Sequence, residues 1–141
     1  MTDPTSPAGH PAIEVRWVGG LAFEAGRPDG PKIRIDGDAQ SAPSPFDGLL
    51  AAIATCAAVD VVTILEKQRT PVKALDIRVA ADRVESTPRR LAKAVLHFRI
   101  TAPGTTIEKA TRAVGLSVTK YCSVRSSLIA DASVTWTVEL G

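Results

Sequence analysis

The sequence has few of the residues that form metal sites and disulfide frameworks. Its 141 residues include only two cysteines, Cys56 and Cys122, and two histidines, His10 and His97. No CxxC or HxxxH spacing is present, so we expect no metal site. In a reducing cytosol a permanent structural disulfide is also not expected. Two interpretations remain for the thiols, which are inert packing and redox chemistry.

Aromatic residues and net charge are scarce as well. Aromatics make up 4% of the chain, and the formal net charge is +2 with the basic residues dispersed. A nucleic-acid partner is therefore not expected, because such surfaces cluster Lys and Arg. The most apolar run, residues 49–65, contains Asp60, and the N-terminus lacks the pattern of a signal peptide. We expect a cytoplasmic protein without membrane contact, with residues 1–11 as a flexible tail and residues 12–141 as a single domain.

Alternating hydrophobicity predicts the strands. Residues 12–18 and the runs "LAFEA" and "KIRID" are short, alternating and separated by Gly and Pro, which is typical of an antiparallel meander. Residues 73–83 and 91–102 predict a long hairpin with its turn near residues 86–88, and residues 133–140 predict a last strand. Residues 105–121 have helical spacing instead. The order strands, long helix, hairpin, helix, strand predicts an α+β fold with mainly antiparallel pairing.

The long helix is predicted within "SPFDGLLAAIATCAAVDVVTILEK", residues 44–67. Ser44 is a suitable N-cap, Pro45 fits the first turn, and Asp47 interacts favourably with the helix dipole. Pro71 stops the helix. Both sides of this helix are apolar, so we expect it to be enclosed by a sheet or covered by a second subunit.

Local sequence favours ionisation of the Cys122 thiol over that of the Cys56 thiol. Cys56 lies about three turns into the helix, with Asp60 one turn further, and a carboxylate there raises the pKa of a thiol unless a cation neutralises it. Cys122 lies just before another short helix and close to Arg125, a setting that favours a thiolate. Local sequence therefore makes Cys56 the poorer thiolate.

Two motifs resemble those of the OsmC/Ohr family, the osmotically inducible and organic-hydroperoxide-resistance proteins. The first is "SPFDGLLAAIATCAAVDVVTILEK", and the second is "ATRAVGLSVTKYCSVRSSL", in which a helix ends at a cysteine. The resemblance covers roughly residues 12–141 and includes the order of the elements. It implies an interlocked homodimer in which antiparallel sheets wrap around the long central helices.

The resemblance also implies a chemistry. Characterised members reduce organic hydroperoxides without a cofactor, so Cys56 would be the peroxidatic cysteine and Cys122 the resolving one. A thiol reductant or a lipoyl protein would then reset the pair. The apolar surroundings of Phe46 and Ile53, together with Asp47, would contact the substrate.

This sequence departs from the peroxidase motifs at three places. Phe46 stands where the peroxidases have a glutamate, ten residues before Cys56, and Asp47 is displaced by about 100° on the helix. The activating arginine has two candidates, Arg16 and Arg27, of which Arg16 is preferred. Ser123 follows the second cysteine, where the family usually has proline.

The sequence thus predicts a thiol-dependent peroxidase for organic hydroperoxides. The alternative is a dimer of the same fold that binds a small apolar ligand or acts as a thiol redox sensor. Phe46 in place of the glutamate favours this alternative.

Overall fold

The structure is a computed structural model that describes residues 9–141. Within it the chain divides into two compact units, of which one ends at Leu49 and the other is Leu50–Gly141. Most of the predicted flexible tail lies outside the described residues, while residues 9–11 are exposed and belong to no helix or strand. The prediction that residues 12–141 form a single domain stays a prediction.

The first unit contains the predicted antiparallel meander. Its strands are β1 (Glu14–Gly19), β2 (Ala22–Gly26) and β3 (Ile33–Asp36), paired in that order. Gly19 and Gly20 make the tight connection between β1 and β2 with φ angles of 116° and 55°, in the region that glycine adopts most readily. The meander predicted from the alternating runs is confirmed.

One face of this meander is apolar and largely uncovered. The register places Val15 opposite Ala25 and Trp17 opposite Phe23, so these side chains share a face. Val15 and Trp17 are each 65% exposed, and Ile33 on the same face is 64% exposed. Exposed apolar area of this kind marks an interaction surface.

The long helix α1 (Pro45–Lys67) begins as its sequence predicts. The backbone N–H of Asp47 donates to Ser44 Oγ at 3.1 Å, and the Ser44 N–H donates to the Asp47 carboxylate at 2.9 Å. This reciprocal pair satisfies donors that the first helical turn leaves free. At the other end Arg69 adopts a left-handed φ of 62°, which ends the helix before Pro71.

The second unit holds the rest of α1 and a separate three-stranded sheet. Its strands are β4 (Ala74–Arg83), β5 (Leu91–Thr101) and β6 (Ser133–Leu140), in the order β4-β5-β6. β4 and β5 form the predicted antiparallel hairpin, with the turn in the predicted place. The α+β class with mainly antiparallel pairing is confirmed.

One pairing departs from that prediction. β6 runs parallel to β5, with Leu96 opposite Trp136 and Phe98 opposite Val138. The reason is the connection between them, which is long enough for a crossover that contains helices and so returns the chain in the same direction. The sheet of the second unit is therefore mixed rather than antiparallel throughout.

The crossover contains three short helical pieces. They are α2 (Ile107–Leu116), a single π-helical turn at Ser117–Tyr121, and α3 (Ser123–Ser126). Wide turns of this kind occur often at functional sites. Here the turn ends immediately before Cys122.

The core of the second unit is apolar and tightly enclosed. Fully buried side chains come from α1, β5 and the crossover, and include Ile53, Val61, Leu65, Leu96, Phe98, Ile100, Val114 and Val118. By length and hydropathy alone α1 could cross a membrane, a property shared by core helices of soluble proteins. Ile53, Val61 and Leu65 are completely buried, so one side of α1 packs into this core.

Candidate active site

The structure brings the two cysteines together from distant parts of the chain. Cys56 lies in the middle of α1 and is partly exposed, whereas Cys122 is the N-cap of α3 and is only 1% exposed. Both are free thiols. The Cys122 side chain also approaches the backbone of α1, with its Sγ 3.9 Å from the carbonyl oxygen of Ile53.

Cys56 Sγ is surrounded by hydrogen-bond donors from the start of α3. The Ser123 Oγ lies 4.0 Å away. The groups that favour the charged sulfur are, in decreasing order, the Val124 N–H, the Cys122 thiol, the Ser123 hydroxyl and the Ser123 N–H. Burial raises the pKa of the Cys56 thiol, but these donors outweigh it and bring the pKa below its ordinary value. Hydrogen bonds have this effect because they stabilise the charged form of the sulfur.

Cys122 has the opposite environment. Burial raises the pKa of its thiol, and only the Arg125 N–H, 3.3 Å from the sulfur, and the Val124 N–H act against it. The hydrogen bond to Cys56 and the charge on that sulfur raise the pKa of Cys122 further. Of the two thiols, Cys56 is therefore the one whose surroundings favour the thiolate, and Cys122 is the one whose surroundings favour the neutral thiol.

The ranking of the thiols from local sequence is wrong. A short helix begins at Ser123, as expected, but burial of the Cys122 sulfur outweighs the effect of that helix. Cys56 in turn gains donors from a segment that is remote in sequence, so the position of Asp60 does not decide its ionisation. Contacts between residues that are distant in sequence therefore favour ionisation of Cys56 over Cys122.

A family model described as OsmC-like protein matches residues 37–139. This chain belongs to the OsmC-like family. The family predicted from the two cysteine motifs is confirmed.

Known relatives of this OsmC-like chain include proteins of several bacteria. Protein YhfA of Escherichia coli (strain K12) is 37% identical over 127 residues, which cover 89% of this chain and 95% of YhfA. An OsmC-like protein from Mycoplasma pneumoniae superimposes with a TM-score of 0.78 at 15% identity, covering 95% of this chain and 99% of that one.

The organic hydroperoxide resistance protein OhrB of Bacillus subtilis gives a TM-score of 0.60 at 16% identity, covering 94% of this chain and 100% of OhrB. At these identities the two solved structures share the fold. They support the predicted OsmC-like architecture and do not transfer an activity.

The other predicted site residues are placed as follows. Ile53 is completely buried, and its carbonyl oxygen accepts from the Cys122 thiol at 3.9 Å. Arg16, Phe46 and Asp47 belong to the first unit. There Arg16 is exposed on β1 opposite Glu24, Phe46 is half-buried in the first turn of α1, and Asp47 caps that helix.

Sequence reasoning missed the part that Ser123 and Val124 take in the site. The one available signal was their position at the start of a helix directly after a cysteine, where backbone N–H groups have no partner within the helix. Within residues 9–141 no group of three or more His, Cys, Asp or Glu side chains could hold a metal ion.

Proposed function

We propose that this protein is a thiol-dependent peroxidase that reduces organic hydroperoxides. The observation that carries the proposal is the arrangement of two free cysteines, with Cys56 partly exposed in α1 and Cys122 buried as the cap of α3, whose first residue Ser123 has its Oγ 4.0 Å from the Cys56 sulfur. The pKa of the exposed thiol is lowered and the pKa of the buried thiol is raised. A peroxidatic cysteine must be an accessible thiolate, and a resolving cysteine must stay close to it. The partial exposure and lowered pKa of Cys56, and the place of Cys122 at the cap of α3, support these two roles.

The reaction has two steps at the protein. The Cys56 thiolate attacks the terminal oxygen of the hydroperoxide, so that an S–O bond forms, the O–O bond breaks, and the alkoxide leaves and takes up a proton. The resulting sulfenic acid reacts with the Cys122 thiol, and the disulfide forms as water leaves. An external dithiol, such as a small thiol reductant or a lipoyl protein, then reduces the disulfide by exchange.

The proposed substrate is an organic hydroperoxide rather than hydrogen peroxide. An apolar substituent would gain from the apolar residues that precede Cys56 on α1, with Phe46 as the proposed contact and Asp47 next to it in the sequence. Ile53 is completely buried, so it would support this surface from the core rather than touch the substrate. Arg16 is the proposed cation that polarises the peroxide. Exchange of Arg16 for Gln should lower the rate with organic hydroperoxide, whereas the same exchange at Arg27 should not.

A homodimer is part of the proposal. Two apolar surfaces are open to solvent in the single chain, namely the meander face around Trp17 and the side of α1 around Val59, which is 65% exposed. Each surface contains more than one exposed apolar residue, and a second copy of the chain would cover both surfaces. This fits the interlocked dimer that the resemblance implies.

The test compares two oxidants on the reduced protein. Free thiols are counted over time after one equivalent of cumene hydroperoxide or hydrogen peroxide is added. We expect rapid loss of both thiols with the organic hydroperoxide and slower loss with hydrogen peroxide. The Cys122→Ser variant should lose its single thiol at the same initial rate.

Slow loss with both oxidants would contradict the peroxidase. That result would favour the second candidate, an OsmC-like dimer that binds an apolar ligand or senses redox state, for which Phe46 in place of a glutamate is the favouring feature.

A further inference from the structure

The residue after the second cysteine touches the sulfur of the first. Ser123 Oγ lies 4.0 Å from Cys56 Sγ, and the two residues are 67 positions apart in the sequence. Ser123 is the first residue of α3, and its N–H therefore has no acceptor within that helix. Its hydroxyl and, to a smaller extent, this N–H are among the groups that favour the charged form of Cys56.

We propose that Ser123 is a thiolate-stabilising residue of the site, which holds Cys56 in its reactive form through both its hydroxyl and its backbone N–H. This role of Ser123 rests on the proposed peroxidase function, because the thiolate is the form that attacks the hydroperoxide. The ionisation of Cys56 can nevertheless be measured without a peroxide. A charge-assisted hydrogen bond is stronger than a neutral one, so both donors favour the thiolate over the thiol.

The Val124 N–H also favours the Cys56 thiolate, but it belongs to the backbone, so exchange of the Val124 side chain does not remove it. The remaining groups near Cys56 do not perform the same task. The Cys122 thiol favours the charged sulfur as well, but it is consumed as the resolving thiol in the proposed reaction. The Arg125 guanidinium is directed to the Thr119 carbonyl oxygen at 3.5 Å. Asp60, one turn further along α1, is an anion and gives a thiolate no support. Ser123 therefore supplies neutral, permanent donors.

The local backbone makes a clean test possible. Proline is well tolerated at the first position of a helix, and Cys122 before it has φ −73° and ψ 99°, an extended conformation close to that favoured before proline. Ser123→Pro therefore removes the hydroxyl and the N–H together, whereas Ser123→Ala removes the hydroxyl alone. The Ser123 carbonyl, which accepts from Ser127 Oγ at 2.8 Å, is kept in both variants.

The experiment follows thiolate absorbance near the ultraviolet edge as the reduced protein is titrated, and reads the first of the two thiol steps. At a pH below that step we expect the thiolate fraction to fall about threefold in Ser123→Ala, which loses one long hydrogen bond, and about tenfold in Ser123→Pro, which loses two. Ser126→Ala is the control, because Ser126 is exposed on the same helix and its N–H bond to the Cys122 carbonyl persists. A merely structural role for Ser123 would leave the titration unchanged.

The same proteins are then mixed with cumene hydroperoxide. If the titration moves as expected and no protein consumes the hydroperoxide, the peroxidase proposal is wrong and the assignment of Ser123 stands. If the wild type consumes it and both Ser123 variants titrate as the wild type does, the assignment of Ser123 is overturned. Should Ser123→Pro fail to fold by circular dichroism, Ser123→Ala alone decides between these results.

Discussion

Cys122 caps α3, and the first residue of that helix, Ser123, lies beside Cys56, with Ser123 Oγ 4.0 Å from Cys56 Sγ. The Cys122 thiol is buried and lies 3.9 Å from the Ile53 carbonyl oxygen, whereas Cys56 is partly exposed. Burial raises the pKa of Cys122, while the groups at the start of α3 outweigh the burial of Cys56 and lower its pKa. This difference makes Cys56 the thiol whose surroundings favour the anion.

Exchange of each cysteine should separate the two oxidation steps. We expect Cys56→Ser to abolish hydroperoxide consumption, because the remaining thiol is buried and protonated. Cys122→Ser should react once and then stall as the sulfenic acid or become over-oxidised. A single turnover in stopped flow, with dimedone trapping and mass spectrometry, identifies the product. Rapid labelling of Cys122 in Cys56→Ser, with none on Cys56 in the reciprocal variant, would reverse the assignment.

The two thiols should also be coupled in their ionisation. Burial raises the pKa of Cys122, and the nearby Cys56 sulfur raises it further. Cys56→Ser removes that charge and keeps the size, so the pKa of Cys122 should fall, with about tenfold more Cys122 thiolate at a given pH. Thiolate absorbance of the reduced variant checks this, with wild type as the reference.

Oxidation of Cys56 to the neutral sulfenic acid should likewise remove the negative charge next to Cys122. The Cys122 thiol would then ionise more readily at the moment when it has to attack. An unchanged Cys122 titration in Cys56→Ser would show that burial alone determines its pKa.

The assembly should have twice the chain mass at micromolar concentration. Light scattering after size-exclusion chromatography measures this. The separate variants Trp17→Glu and Val59→Glu should each weaken the dimer at least about a hundredfold, because burial of an unpaired charge costs several kcal/mol. Thr135→Glu, on an exposed position of β6, is the matched control and should leave the mass unchanged. A stable folded monomer of the wild type would contradict the dimer.

Acid should destabilise the first unit through Asp36. Hydrogen bonds from the Ser41 N–H, the Asp38 N–H and the Ser41 hydroxyl lower the pKa of this carboxyl to about 2, and burial only partly opposes them. The folded state thus favours the carboxylate. The stability that this carboxylate contributes is present above pH 4 and is lost as the pH falls from about 4 to about 2.

The measurement is urea unfolding at pH 7, 4, 3 and 2 in a Trp136→Phe background, so that the fluorescence reports Trp17 alone. Asp36→Asn should be less stable than wild type at pH 7 and should lose less stability between pH 4 and pH 2. Asp38→Asn is the control, because its contribution to the loop is the backbone N–H, which remains. An equal loss of stability between pH 4 and pH 2 in wild type and Asp36→Asn would show that other titratable groups cause the acid sensitivity.

Sequence reasoning was sufficient where the signal is local. The start of α1 follows from Ser44 and Asp47, and the hairpin of β4 and β5 follows from alternation that each strand carries by itself. The cysteine motifs were sufficient for the family. These features depend on residues within one element or on a recognisable pattern.

The sequence could not predict features that depend on distant neighbours. Alternation in β6 indicates a strand but not the partner or the direction of pairing, so the parallel contact with β5 was missed. The ionisation of Cys56 depends on Ser123 and Val124, and that of Cys122 depends on its burial. Neither can be read from the residues next to each cysteine.

The separation of 67 residues between Cys56 and Ser123 has a consequence for how the chain matures. β4, β5 and α2 lie between them, so the donors reach Cys56 only after this intervening chain has folded, and contacts of such long range form slowly. A newly synthesised or misfolded chain therefore has two ordinary thiols. The reactive sulfur comes into existence with the native state, which makes thiol ionisation a direct reporter of folding for this protein.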